Sequence, residues 1–142
     1  MSRNSNTRNL KRKINSPLSA ITDQEIEEFF SVNLKWLHND SDFVLIKRDK
    51  TKSKQFLNWL ETQSQVEWII INSASRRQQG SEKIELNALN ITVPDDLASE
   101  TVISFHWWGS RSIVGVRRQG VFCPFSIELD AGDNKNYDHG GS

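Results

Sequence analysis

The feature that most constrains the fold is a series of three apolar segments near the end of the 142-residue sequence. Val102–Trp108 is rich in β-branched and aromatic residues, and a turn follows at Gly109-Ser110. Ile113–Val116 comes next, and after a second turn at Gln119-Gly120 the chain continues as Val121–Leu129. Short apolar segments joined by tight turns predict three antiparallel strands in a meander.

Helices are predicted in the part of the chain that precedes the meander. Ile21–Phe30 is predicted to be helical because Thr22 and Glu25 have the spacing of a capping box. Thr51–Gln63 has its apolar residues at helical spacing on one broad face. Trp68–Ile71 fits a helix or a strand, since short apolar runs are ambiguous, and we favour the helix.

Further strands are predicted between these helices. Val32–Leu37 alternates apolar and polar residues, Phe43–Ile46 is short and β-rich, and Lys83–Val93 alternates imperfectly. Pro124 lacks an N–H group, so the last strand must lie at a sheet edge or carry a bulge there. The resulting order predicts an α+β domain, in which helices pack on one face of an antiparallel sheet with a C-terminal three-stranded meander.

Charge divides the chain into an arm and a body. Residues 1–13 contain five basic residues and no acid, and removing these from the 18 basic residues leaves 13 against 18 acidic ones, a net charge of about −5. Residues 1–16 have few apolar side chains to bury, which predicts a disordered basic arm. Residues 17–140 are predicted to form a single α+β domain.

The sequence also bounds the location of the protein. No apolar run approaches the roughly 20 residues that span a bilayer, and no signal peptide is recognisable. Cys123 is the single cysteine, so an internal disulfide is impossible. We expect a cytoplasmic protein with no membrane partner.

The acidic and imidazole side chains of the last third do not predict a metal site. His106, Asp130, Asp133, Asp138 and His139 lack the spacing of familiar metal-ligand motifs. No glycine-rich phosphate loop or G-x-S-x-G motif is present either. We therefore expect no metal and no cofactor.

Five arginines are the better candidates for ligand binding. Arg111, Arg117 and Arg118 lie on or beside adjacent strands, and Arg76 and Arg77 follow the second helix. If the end of that helix approaches the sheet edge, these side chains would form one basic patch that matches phosphate groups. The alternative is a solvated face on which the arginines pair with nearby acids.

Aromatic and imidazole side chains accompany the arginines. Trp107, Trp108 and Tyr137 could stack on bases, and Tyr137 and His139 could transfer protons near neutral pH. Because a strand alternates its faces, Trp107 and Trp108 should not both point into one core. One of the two is therefore predicted to meet solvent, a second layer or a protein partner.

The stretch Ile103–Arg117 resembles the strand–turn–Arg–strand passage of the RelE/ParE family of small toxins from bacterial toxin–antitoxin modules, and the resemblance in element order covers roughly residues 43–130. It implies a protein that binds ribosomal messenger RNA and cleaves it, or that poisons gyrase, and that an antitoxin holds inactive. It also implies that Arg111 and Arg117 hold phosphate and that Tyr137 or His139 is catalytic.

Two functions are therefore expected. The first is a small, toxin-like, metal-independent endoribonuclease of a bacterial or mobile-element cassette, with Arg111, Tyr137 and His139 as catalytic residues. Its partners would be RNA or the ribosome and an antitoxin. The second is a non-catalytic protein-binding module that uses a sheet edge and the exposed member of the pair Trp107 and Trp108.

Overall fold

The structure is a computed structural model that describes residues 29–73 and 80–139. Within these residues, three helices precede a single antiparallel sheet whose four strands lie in sequence order. The α+β class, the C-terminal meander and the packing of helices on one face are confirmed. The elements are α1 (Ser41–Arg48), α2 (Lys50–Gln63), α3 (Trp68–Ser73), β1 (Glu82–Ile84), β2 (Val102–Trp108), β3 (Arg111–Arg118) and β4 (Val121–Ile127).

Each face of the sheet carries its own apolar cluster. The helix-side cluster joins the helices to one face and consists of Phe30, Leu37, Phe43, Ile46, Phe56, Trp68, Ile71, Ile103, Phe105, Trp107, Ile113, Phe122 and Ile127. The loop-side cluster lies on the other face, where irregular chain replaces helices, and consists of Ile84, Leu97, Val102, Val114, Val116, Cys123, Phe125 and Tyr137. The sheet is therefore covered on both faces, which explains why β2 to β4 are almost wholly buried.

The prediction of a strand over Phe43–Ile46 is wrong, because these residues lie in α1. The carboxylate of Asp40 accepts hydrogen bonds from the N–H groups of Asp42 and Phe43, so it caps the helix that begins at Ser41. Phe43 and Ile46 are one helical turn apart and are both buried in the helix-side cluster. The turn that ends at Asn39 therefore leads directly into α1.

The strand predicted over Val32–Leu37 is also wrong. Val32 makes one isolated parallel bridge to Phe122, and the chain then turns. The carbonyl of Leu34 accepts hydrogen bonds from the N–H groups of Leu37 and His38, which closes that turn. The alternating apolar residues are nevertheless partly buried at the edge of the sheet. Val32 and Leu34 pack on the helix-side cluster, and Trp36 packs on the loop-side cluster.

The helix predicted over Ile21–Phe30 falls mainly outside the described residues, as does the basic arm over residues 1–16. The last two residues of that predicted helix are described, and they are extended. Phe29 bridges to Glu67, and the N–H of Phe30 donates to the carbonyl of Val66 at 3.0 Å.

The helix over Thr51–Gln63 is confirmed as α2, and Trp68–Ile71 takes the favoured helical form in α3. The strand over Lys83–Val93 is confirmed only at its start, because β1 is three residues long. Beyond it the chain makes a 3₁₀ turn at Leu86–Ala88 and then lays its apolar side chains on the loop-side cluster.

Two bulges shape the meander. Trp107 is an extra residue in β2, since His106 is paired with Ser112 and Trp108 with Arg111. Phe125 is the corresponding extra residue in β4, next to Pro124. The predicted bulge at Pro124 is confirmed, and β4 is also an edge strand of the sheet.

Gly115 makes the second bulge feasible. A Cβ atom at this position would collide with the backbone of Cys123 and Pro124 across the strand pair. Only glycine allows the two strands to approach so closely there.

None of the helices within residues 29–73 and 80–139 has the length and hydropathy of a membrane span.

Candidate functional site

A buried carboxylate organises the polar side chains at the end of β4. The side chain of Glu128 is 1% exposed, and it accepts hydrogen bonds from the N–H groups of Ser112 at 2.9 Å and Asn136 at 3.1 Å. Nε2 of His139 lies 3.0 Å from both carboxylate oxygens. A buried carboxylate requires such partners, and here they come from β3 and from the segment after β4.

Asn136 fixes that segment against the sheet. Its side-chain oxygen accepts a 2.6 Å hydrogen bond from Ser126, and its side-chain nitrogen donates to the hydroxyl of Ser112 at 2.8 Å. The carbonyl of Asn136 accepts from the N–H of Asn90 at 2.8 Å. We call Ser112, Ser126, Glu128, Asn136 and His139 the polar cluster.

Tyr137 and His139, predicted from the sequence to act together, are in contact. Their rings are stacked, with centroids 4.3 Å apart and planes 20° apart. The hydroxyl of Tyr137 is within 2.8 Å of the Ser104 hydroxyl, and the Tyr137 ring is buried in the loop-side cluster. Tyr137 therefore serves as a fixed platform beneath the imidazole.

A second imidazole lies beside the first. The ring of His106 is 5.8 Å from that of His139, centroid to centroid, and both side chains are partly exposed. His106 alternates with Phe105 and Trp107 along β2, which places it on the loop-side face with Tyr137. The two histidines, Tyr137 and Glu128 thus form one group, in which the imidazoles are partly exposed and the other two side chains are buried.

The predicted catalytic residue Arg111 is not part of this group. Its guanidinium carbon lies 4.2 Å from the centroid of the Trp108 ring, on the helix side of the sheet. It also donates hydrogen bonds to the carbonyls of Leu129 and Trp108. Arg111 therefore ties together the ends of β2 and β4 on the face opposite His139.

The predicted RNA-binding arginines are also apart from the histidines. Arg117 lies over the Trp68 ring with its guanidinium carbon 4.4 Å from the centroid. Arg118 pairs with Glu100 at 3.6 Å and donates a hydrogen bond to the Asp96 carbonyl. Arg117 is five residues from Ser112, which corresponds to about 17 Å along β3.

The remaining predicted RNA-binding residues, Arg76 and Arg77, lie outside the described residues. The helix that precedes them contacts the sheet at its first residue, because Trp68 of α3 lies against Arg117 of β3. Arg117 and Arg118 nevertheless point to opposite faces of the sheet, as adjacent positions on a strand must.

Trp107 and Trp108 do not divide between two faces as the strand period predicts. Trp107 is 3% exposed and belongs to the helix-side cluster, and Trp108 is partly buried against the same cluster. The bulge at Trp107 removes the alternation at this point, so both rings lie on the helix side, 6.1 Å apart. Trp108 keeps part of its surface exposed.

The surroundings of the polar cluster are acidic. The pKa of Asp133 is raised first by burial and then by the negative charges of Asp42, Glu128 and Asp130. Lys135 offsets part of this charge, since its ammonium group lies 2.9 Å from Asp40 and 3.1 Å from Asp42. An anionic ligand is therefore repelled by these carboxylates unless the imidazoles of His106 and His139 are protonated.

Metal and thiol chemistry have no assembled site in the described ranges. No group of three or more His, Cys, Asp or Glu side chains suited to a metal ion occurs within residues 29–73 and 80–139. Burial raises the pKa of the Cys123 thiol, and this thiol belongs to the loop-side cluster. Cys123 is therefore a packing residue.

Sequence reasoning missed Glu128 and assigned His106 no role beyond that of a candidate metal ligand. An acid that follows an apolar strand normally meets solvent, and the sequence alone leaves open whether the tail after β4 folds back or frays. His106 could have been found, because it stands between two aromatic residues in a strand and must face away from their core.

Comparison of the chain with models of protein families, with curated proteins and with solved structures gives no match.

Proposed function

We propose that this protein is a small, toxin-like ribonuclease that cleaves RNA without a metal ion, using His139 and His106 to transfer protons. One observation carries the proposal, namely the pair of adjacent imidazoles of which one is held by the buried carboxylate of Glu128. A base oriented by a second group is the usual arrangement in acid–base catalysis.

The roles follow from the neighbours of each imidazole. Glu128 stabilises the imidazolium that forms when His139 accepts a proton, so His139 is the general base. His106 is then the general acid, and its ring lies 5.8 Å from that of His139, centroid to centroid. Tyr137 is a positioning residue, because its stacked ring sets the plane of His139 while its hydroxyl is engaged with Ser104.

RNA suits this pair because its cleavage requires only two proton transfers. His139 accepts the proton of a ribose 2′-hydroxyl while the 2′ oxygen bonds to the adjacent phosphorus. The P–O5′ bond breaks, and protonated His106 gives its proton to the departing 5′ oxygen. The products are a 2′,3′-cyclic phosphate and a 5′-hydroxyl end.

The test is incubation of the full chain with a short single-stranded RNA in a chelator, with products identified by mass. We expect cyclic-phosphate ends, and a loss of about 100-fold in rate for both His139→Ala and His106→Ala. His38→Ala is the matched control, since His38 is an exposed histidine that does not belong to the polar cluster. Absence of cleavage by the wild type, or equal rates in all three variants, would contradict the proposal.

A second candidate function is a protein-binding module centred on Trp108 and Arg111, with an antitoxin-like protein as the partner. The observation that favours it is the partly exposed Trp108 ring covered on one side by the Arg111 guanidinium. Tryptophan and arginine are the side chains most enriched at the energetic centres of protein interfaces.

Copurification with the product of the adjacent gene tests this candidate. Trp108→Ser should reduce the amount of partner recovered while the melting temperature changes little, because the ring is only partly buried. Leu57→Ser is the control, since Leu57 is 63% exposed on α2. Equal recovery of the partner with both variants would show that Trp108 does not contribute to the interface.

A further inference from the structure

A cleft between α3 and the first two strands of the sheet lies away from the histidines. Its volume is about 480 Å³, which falls in the range of about 300–1,000 Å³ usual for small-ligand pockets. Trp68 and Ile103 form its apolar part, and its polar lining is provided by Asn72, Ser81, Lys83, Glu100, Thr101 and Arg117. We call this the Arg117 cleft.

Strand register brings the two cations of the cleft to one face. Lys83 of β1 is paired with Ile103 of β2, and Ile103 is paired with Gly115 of β3. Arg117 lies two residues beyond Gly115 and so shares its face. That face is the helix side, where Ile103 belongs to the helix-side cluster.

The guanidinium of Arg117 has a fixed support. The indole nitrogen of Trp68 donates a 2.8 Å hydrogen bond to the carbonyl of Gly120, so the ring plane is set by the β3–β4 turn. Arg117 lies on that ring with its guanidinium carbon 4.4 Å from the centroid. A guanidinium over an aromatic ring is held by cation–π attraction, and this contact does not use up its N–H donors, which can bind an anion.

Positive charge in the cleft is not cancelled by the acid that lines it. Glu100 pairs with Arg118 at 3.6 Å. Within residues 29–73 and 80–139, neither Arg117 nor Lys83 forms an ion pair with a carboxylate. Asn72, Ser81 and Thr101 add amide and hydroxyl groups that can bind the same oxygens.

We propose that the Arg117 cleft binds a phosphate monoester, with Arg117 and Lys83 on the phosphate oxygens. A guanidinium fork matches two oxygens of one phosphate, and an ammonium adds a second charge for a dianion. The volume of the cleft leaves room for a group attached to the phosphate, as in a nucleotide or in the 5′ end of an RNA.

Phosphate binding in this cleft is independent of the proposed ribonuclease activity. The cleft lies on the helix side of the sheet, near Arg117 toward the end of β3. His139 is on the other face, where it contacts Glu128, and Glu128 in turn bonds to Ser112 at the start of β3. A binding measurement involves no cleavage reaction, so failure of one proposal leaves the other intact.

Titration calorimetry on the full chain, in a phosphate-free buffer, compares inorganic phosphate, adenosine 5′-monophosphate and adenosine. We expect both phosphates to bind and adenosine not to bind. Tighter binding of the nucleotide than of phosphate identifies a nucleotide ligand, and equal binding identifies phosphate itself. A 5′-phosphorylated oligonucleotide set against its 5′-hydroxyl form shows whether an RNA end enters. Absence of phosphate and nucleotide binding up to about 10 mM overturns the proposal.

Variants locate the binding. Arg117→Gln should weaken it about tenfold or more, and Lys83→Gln should weaken it less, because Lys83 is an exposed side chain with a mobile stem. Arg48→Gln, which removes an exposed cation at the end of α1, should leave affinity unchanged. Equal weakening by all three substitutions would indicate general charge attraction and would overturn the site. If Arg117→Gln fails to fold, Lys83→Gln against Arg48→Gln still decides the question.

Discussion

On the helix side of the sheet, rings contact rings, whereas near the end of β4 on the other face, polar atoms meet specific partners. Phe105 contacts Phe30, Trp59, Trp68 and Phe122 with centroids 5.0 to 6.3 Å apart. Glu128, in contrast, is held by three hydrogen-bonding groups at defined positions. Stability in the first region depends on how completely side chains fill the space, and in the second on whether each polar group has its hydrogen-bond partner.

The two regions should therefore respond differently to substitution. Removing a ring leaves a cavity and loses transfer free energy, but neighbouring rings can partly move in. Removing one polar partner leaves the others buried and unsatisfied, and no small movement restores them. Four substitutions test this difference, ordered by the size of the expected effect.

The largest effect is expected for Phe105→Ala, at the centre of the helix-side cluster. Phe105 is 1% exposed, so its loss should reduce the free energy of unfolding by about 3–5 kcal/mol. Urea denaturation followed by circular dichroism measures the change. Leu57→Ala, at an exposed position on α2, is the control and should change stability little. A loss below about 1 kcal/mol in Phe105→Ala would show that the ring cluster is loosely packed.

Glu128→Ala should rank second, with a loss of about 2–3 kcal/mol. The N–H groups of Ser112 and Asn136 lose their acceptor in this variant, and His139 loses its carboxylate. The same denaturation experiment measures the loss, and Asp130→Ala, at an exposed acid two residues away, is its control. Equal stability of the two variants would mean that water replaces the carboxylate without penalty.

Ser104→Ala should cost about 1 kcal/mol, because it removes the hydroxyl that pairs with the buried Tyr137 hydroxyl. Thermal unfolding by calorimetry is sensitive enough for a change of this size. Ser110→Ala, in the exposed β2–β3 turn, should leave the melting temperature unchanged. If the two serine variants melt alike, the Ser104–Tyr137 pair contributes no net stability.

The smallest effect concerns pH and Asp133. Its pKa is raised in the folded state, so in the interval above the ordinary value of 3.8 the folded chain binds more protons than the unfolded one, and stability falls as pH rises through that interval. Asp133→Asn should therefore be slightly more stable than the wild type at pH 7 and should lose this part of the pH dependence. Asp95→Asn, at an exposed acid in the 3₁₀ turn Asp95–Leu97, is the control. If Asp133→Asn is less stable than the wild type at pH 7, the Asp133 carboxylate stabilises the fold and the prediction is wrong.

The contrast between the two regions also explains how much of the fold could be predicted from the sequence. Ring-rich strands with tight turns between them indicate a meander, because apolar period and turn residues act locally. The prediction at the start of α1 was wrong because four consecutive apolar residues in Phe43–Ile46 suit either state, and the deciding interaction is the cap from Asp40.

The polar cluster could not be predicted, because its partners are joined only by folding. Glu128 and Ser112 are 16 residues apart, and Asn136 reaches both through side-chain and backbone atoms. Tyr137 and His139 were recognised as candidates by residue type alone. Their stacking and the neighbouring His106 depend on the tail crossing the sheet, which no local pattern indicates.

The structure of the edge strand β4 affects the tendency of the protein to aggregate at high concentration. Ser31 and Asn33 already occupy the hydrogen-bonding groups of Phe122. Pro124 then offers no donor, and the extra residue Phe125 bends the remainder of the strand. A second molecule therefore finds no straight ladder to extend, and this edge resists the chain-on-chain growth that leads to fibrils.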